Sequence, residues 1–129
     1  MNDNSMNVEA RVAAARRLHE NGHNCCQAVV MAYTDMLPIA PDAAFNMAAP
    51  FGRGLSGLQQ TCGCVNGMAM VCGLCNQKMM VRGLAEQFKA EHGDLNCPRL
   101  LQIQGAGHSC NDLVASAARL LGETLLSEE

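Results

Sequence analysis

The chain has 129 residues, a net charge of −3, eight cysteines and nine methionines, but no tryptophan, one tyrosine and three phenylalanines. That length supports one domain, residues 1–129, which buries roughly two thirds of its unfolded surface and needs no disulfide staple to fold. The charge leaves no basic stripe, which argues against nucleic acid and anionic membranes as partners, and a core of Ala, Leu, Val, Met and Cys favours helices.

The first residues are polar and then periodic, without the apolar stretch of a secretory signal. Further on, the long uncharged run from Gly54 to Gln77 is interrupted by Gln, Asn and Gly, and its apolar core is far shorter than the ~20 residues that span a bilayer. The expectation is a cytoplasmic protein. In a reducing cytosol, eight cysteines point to metal binding or redox chemistry before structural disulfides.

Val8, Val12, Ala15 and Leu18 recur at helical spacing, so a helix is expected from Val8 to about Glu20, ended by Asn21-Gly22. Asn24, with Gln27 three residues on, is a capping-box start for a second helix whose first residue is Cys25. A short third helix follows Pro41 and stops before Pro50. Phe51-Gly52-Arg53-Gly54, with Gly57 beyond it, reads as a glycine-rich loop. Thr61 is the expected cap of a fourth helix carrying Cys62 to Cys75. Met79 to His92 continues it or forms a fifth helix closed by Gly93. Asn96-Cys97-Pro98 is a further helix start, and Ser109 with Asp112 opens a final helix with Leu113, Ala117, Leu120 and Leu121 on its buried stripe.

Thr61 to Cys75 holds four of the eight cysteines. Along the whole chain the cysteines fall into two sets. Cys25, Cys62, Cys97 and Cys110 each follow a residue of N-cap type, which puts their thiols in first helical turns, where free N–H groups and the helix dipole favour negative charge. Four converging thiolates repel by more than helix dipoles of ~0.3–1 kcal/mol each offset. A cation, an iron–sulfur cluster or disulfide pairing removes that conflict. At ~100° per residue, Cys64 and Cys75 share one helix face with Cys72 beside it, and Cys62 lies nearly opposite. That second group is either another site or core. Cys72-Gly-Leu-Cys75 has neither a thioredoxin-like surrounding pattern nor a second CxxC to complete a zinc ribbon. Gly63 and Gly67 cost ~1 kcal/mol each against Ala inside a helix, which implies close backbone packing or cofactor access there. Most of the methionines read as core, although thioether and thiolate together also suit copper.

Four motifs then add up to a known pattern: Cys25 in Asn24-Cys25-Cys26-Gln27, the run Cys62-Gly63-Cys64-Val65-Asn66-Gly67, and the separate later Cys97 and Cys110. The chain resembles the C_GCAxxG_C_C family of redox-active proteins, identified by a first Cys, a Cys-Gly-Ala-x-x-Gly motif and two later Cys. The resemblance runs from about Ala10 to Leu121 and includes the glycine-rich Phe51 to Gly54. Cys64 departs from it by standing at the Ala position, and Cys26, Cys72 and Cys75 are thiols the signature does not demand. The resemblance implies a redox role, a prosthetic group such as an iron–sulfur cluster, and one site for Cys25, Cys62, Cys97 and Cys110.

The resulting expectation is an all-α domain of about five or six helices with cysteines at helix N-termini. The leading function is electron transfer through an iron–sulfur centre ligated by Cys25, Cys62, Cys97 and Cys110, with Gly63 and Gly67 admitting backbone N–H groups to its sulfurs. The alternatives are a metal-free thiol–disulfide oxidoreductase and a copper or zinc binding protein. Partners would be a redox protein or a small thiol or metal ligand, and a homo-oligomer is compatible with the sequence. Without paired carboxylates, a Ser/His/Asp set or a phosphate loop, hydrolase and kinase readings have no support.

Overall fold

The computed structural model describes residues 7–56, 58, 60–96 and 110–126. The helix expected to start at Asn96-Cys97-Pro98, and the cap Ser109, lie wholly or partly outside them. Helices α1 (Val8–Glu20), α2 (Cys25–Met31), α3 (Pro41–Ala48), α5 (Gly63–Leu74), α6 (Val81–His92) and α7 (Cys110–Leu125) make an all-α fold, with α4 (Gly52–Leu55) a single turn and 3-10 turns at Thr34–Met36, Ala49–Phe51 and Lys78–Met80. Among the described residues the only β pairing is one antiparallel bridge, Thr61 with Asn96.

Helix α2 is the central element, because Cys25 to Val30 are all buried. A helix apolar all round is stable only when neighbours cover every side, and α1, α3, α5 and α7 supply them. Its start is fixed as the sequence implies: the Asn24 side chain accepts from the Gln27 amide at 2.9 Å and Gln27 Oε1 accepts from the Asn24 amide at 3.0 Å. Asn24 Nδ2 also donates to Ala49 O at 3.0 Å, tying that cap to the turn before α4. The glycine-rich Phe51–Gly54 segment is therefore not an open loop. It forms a helical turn packed on the cap, where a Cβ on Gly52 would sit 2.3 Å from Asn24 Cγ.

Helix α1 lays Val12 and Ala15 into the core and ends at Asn21, with Gly22 at φ +106° turning the chain toward α2. Its partner α7 runs antiparallel: Glu9 pairs with Arg119 near one end, and Arg16 meets Asp112 at 3.5 Å and Glu20 meets Asn111 at 3.1 Å near the other. Leu113, Ala117, Leu120 and Leu121 are buried, as their stripe implies. Arg11 is buried on α1 and bonds Asp35 at 2.8 and 3.0 Å and Ala32 O at 2.9 Å, its guanidinium lying over the Tyr33 ring.

Directions within the bundle decide where the cysteines meet. Gly63 of α5 faces Cys25 and Gly67 faces Val29, so α2 and α5 run parallel. Tyr33, just past the end of α2, donates to Ala118 O at 2.6 Å and sits against Gly122, far along α7, so α7 also runs parallel to α2. Three helices thus begin at one end of the molecule, and their dipoles place positive charge there.

Candidate functional site: a buried thiol cluster

Cys25 is the first residue of α2, as expected from its cap. Cys62 is not the first residue of α5. It occupies the N-cap itself, extended at φ −55° and ψ 136°, while Thr61 is drawn into the bridge with Asn96 instead of capping the helix. The Cys62 amide donates to Leu95 O at 2.7 Å, and Asp94 Oδ1 accepts from the Leu95 and Asn96 amides at 2.7 and 2.9 Å, fixing the segment that precedes Cys97. Cys97 lies beyond the described residues. Cys110 starts α7 as expected, and only its backbone is described.

Because α5 starts at Gly63, the helical phase that separates Cys64 from Cys62 does not hold at this end. Cys64 is fully buried, with Cys25 and Cys62 as the neighbours that act on its thiol. The three sulfurs form one cluster, and Cys25 and Cys62 are only 5% and 3% exposed. Gly63 makes room for it. A Cβ there would come 2.4 Å from Cys25 Sγ and 2.9 Å from Phe51 O. Gly67 performs the same service one turn on, where a Cβ would meet Val29 Cβ at 2.9 Å.

The cluster is electrically asymmetric. The hydrogen bond from the Cys64 thiol holds the Cys62 pKa below that of an ordinary thiol, outweighing burial and the nearby Cys25, and the Cys64 and Val65 amides assist. As a neutral thiol, Cys62 makes no side-chain capping bond; negative charge on its sulfur is what those amides favour. Cys64 moves the other way. Its bonds to Cys25 and Cys62, then burial, push it well above the usual thiol range, so it stays protonated as the donor. Cys26, which packs its sulfur 3.8 Å from Met70 Sδ, is pushed up to about 12 by burial.

Cys72 and Cys75 lie at the other end of α5, apart from the cluster. Cys72 is buried and raised to about 11 by desolvation and then by Cys75; Cys75 is half-buried, with its sulfur 4.0 Å from Met36 O. The joining of Cys64 to Cys25 and Cys62 is the feature sequence reasoning missed. The signal that would have found it is the Gly63/Gly67 pair, which calls for a close parallel helix and sets the phase of Cys64 against α2.

Soft, buried sulfur donors at helix N-termini suit a thiophilic centre. Among the described residues no group of three His, Cys, Asp or Glu side chains is arranged to hold a metal ion. A complete ligand set would have to draw on Cys97 and Cys110. A cleft of about 150 Å³ is lined by Phe51, Leu55, Gln60, Thr61 and Asn66. Among the described residues no helix is long and apolar enough to cross a membrane.

The described residues thus form an all-helical domain with buried cysteines at the starts of its helices. The chain belongs to the family described as "Putative redox-active protein (C_GCAxxG_C_C)", whose model matches residues 23–124. The family's name writes Gly before Cys. Both orders occur here, in Cys62-Gly63 and Gly63-Cys64, and the fold brings both sulfurs to Cys25. No curated protein and no solved structure matches the chain.

Proposed function

We propose that this is an electron-transfer protein whose centre is metal–sulfur, in the first instance iron–sulfur, held by Cys25, Cys62, Cys97 and Cys110. The observation that carries the proposal is that Cys25 and Cys62, from separate helices, are near enough for the charge of one to act on the other, in a buried place where amide N–H groups favour a thiolate. The common direction of α2, α5 and α7 supports adding Cys110, and the pinning of Leu95 and Asn96 to Thr61 and Cys62 supports adding Cys97. Such a centre, when bound, supplies one-electron chemistry. The chain's own residues hold the anionic sulfurs dry, donate to them through the Cys64 and Val65 amides, and leave space at Gly63. Hydrogen bonds to sulfur and exclusion of water are the levers by which a protein tunes such a potential.

Anaerobic purification followed by visible spectroscopy and quantitation of iron, sulfide, copper and zinc tests the proposal. Charge-transfer absorption with stoichiometric iron and sulfide is the expected result, lost in Cys25→Ser and Cys62→Ser. A colourless chain without iron or sulfide overturns it, and copper or zinc in their place marks a soft-metal binding protein.

One observation favours a second reading. A buried Cys62 thiol drawn toward the thiolate by a neighbouring thiol is also the arrangement of a metal-free thiol–disulfide oxidoreductase with Cys62 as nucleophile. Free-thiol counts before and after mild oxidant distinguish it, since a metal-free chain that loses no thiols is not one.

A further inference from the structure

The end of α6 carries a polar cluster that the candidate centre does not use. His92 Nε2 lies 2.7 Å from Ser116 Oγ on α7, and the same hydroxyl donates to Glu91 Oε1 at 3.1 Å. We propose that His92 is a positioning residue for Cys62: as donor to Ser116 it clamps the end of α6 onto α7, and the clamp holds in place the Leu95 carbonyl that accepts from the Cys62 amide. What that placement does for a metal–sulfur centre rests on the proposed function; the clamp itself rests on geometry.

The direction of the hydrogen bonds follows from counting protons. A carboxylate only accepts, so the Ser116 and Glu91 oxygens need the hydroxyl proton between them. Ser116 has one such proton, and Glu91 takes it. The contact with Ser116 is therefore made by an N–H of His92, which fixes the ring in the tautomer protonated at Nε2. The surroundings suit a neutral ring. The His92 side chain is only 15% exposed and packs on the Phe88 ring at 4.6 Å, and burial holds its pKa below the ordinary imidazole value, outweighing nearby Glu91. Beyond the buried Phe88, the residues Lys89, Ala90 and Glu91 are all exposed, so His92 is the last side chain of α6 turned into the bundle.

From His92 the chain runs to Cys62's partner through a turn that is bonded at every step. The Gly93 amide closes α6 on Lys89 O at 2.7 Å, and Gly93, at φ +96°, takes the left-handed conformation that ends the helix. Asp94 Oδ1 then accepts from the Leu95 and Asn96 amides at 2.7 and 2.9 Å. Leu95 O takes the Cys62 amide at 2.7 Å, and Asn96 pairs with Thr61. Such a turn passes on the position of its first residue, so seating His92 on Ser116 delivers Leu95 to the cap of α5. Cys62 is thereby placed relative to α7, the helix that Cys110 begins.

The test is native-state hydrogen exchange on the intact chain as purified anaerobically, resolved to single amides by fragmentation mass spectrometry. Wild type is compared with His92→Met, which keeps the length of the side chain but has no donor, and with His92→Gln, whose amide N–H stands in for Nε2–H. The expected result is exchange of the Cys62 amide about tenfold faster in His92→Met, with His92→Gln close to wild type. The Ala28 amide of α2, bonded to Asn24 O, should not change. In wild type the imidazole nitrogen shifts in NMR should show Nε2 protonated. No acceleration at Cys62, equal acceleration at Ala28, a His92→Gln chain no slower to exchange than His92→Met, or a ring protonated at Nδ1 overturns the clamp. Iron and sulfide content, measured on the same proteins, separates the two proposals. Selective acceleration in chains that never take up iron leaves the clamp and removes the centre, whereas loaded chains with equal Cys62 exchange in wild type and His92→Met leave the centre and remove the clamp.

Discussion

The two ends of α5 carry the same residue type to opposite effect. At its N-terminal end Cys62 and Cys64 meet Cys25, and hydrogen bonds from a thiol and from amides draw the Cys62 pKa down. At its C-terminal end Cys72 is raised to about 11 and Cys75 is also raised, burial being the main cause for both, with no amide donor to compensate. The helix offers unsatisfied N–H groups at one end and carbonyls at the other. Twelve residues of one helix thus separate sulfurs prepared for anionic chemistry from sulfurs that pack as small hydrophobes. The glycines follow the same division. Gly63 and Gly67 are pressed against α2, and Gly73 has no neighbour within 4 Å of its would-be Cβ.

The strongest way to break this comparison is Gly63→Ala. Its methyl group has to displace Cys25 Sγ or the Phe51 carbonyl, so a stability loss of about 2–3 kcal/mol, read as a fall in Tm, is expected together with dispersal of the thiol cluster. Asp35→Ala probes the surroundings of the other end, where the Arg11 charge reaches Cys75. It strands Arg11, which is fully buried, and costs about 2–3 kcal/mol, less than a wholly buried pair because Asp35 is half exposed. Arg11 holds the Asp35 carboxyl below its ordinary range. Its contribution is therefore present above the unfolded carboxylate pKa and is lost as pH falls through the lower folded value. Melts at neutral and acid pH should show the wild-type and Asp35→Ala stabilities converging only in acid.

Alkylation against pH sharpens the comparison without mutation. Cys62 should reach half-maximal rate below the ~8.5 of a free thiol, and Cys72 only near 11, as read by peptide mapping. Reversal of that order would remove the distinction between the ends. The smallest expected effect is Gly73→Ala. With open space around an exposed helical glycine, it should stabilise by about 0.5–1 kcal/mol and leave metal content unchanged.

What the sequence disclosed and what it hid divide along the range of the interactions. Helix α1 from Val8 to Glu20, the Asn24/Gln27 box and the stripe of α7 are set by near neighbours, and each is found where local spacing puts it. Thr61 is different. Its local chemistry is that of a cap, but a bridge to Asn96, far along the chain, takes it and moves the helix start to Gly63. One displaced residue takes Cys62 out of the helical phase that would set it opposite Cys64. The Phe51–Gly54 segment was obscured in the same way, because its helical turn rests on Asn24 from a distant cap.

Tyr33 gives this molecule an unusual optical property. It is the chain's single tyrosine, in a chain without tryptophan, and its hydroxyl is clamped to Ala118 O where α2 ends against α7. Ultraviolet emission from the protein therefore comes mainly from one ring at one joint, leaving the longer wavelengths clear for any chromophore at the sulfurs. A single cuvette can follow the seating of α2 and the colour of the cysteine cluster as separate signals from the same solution.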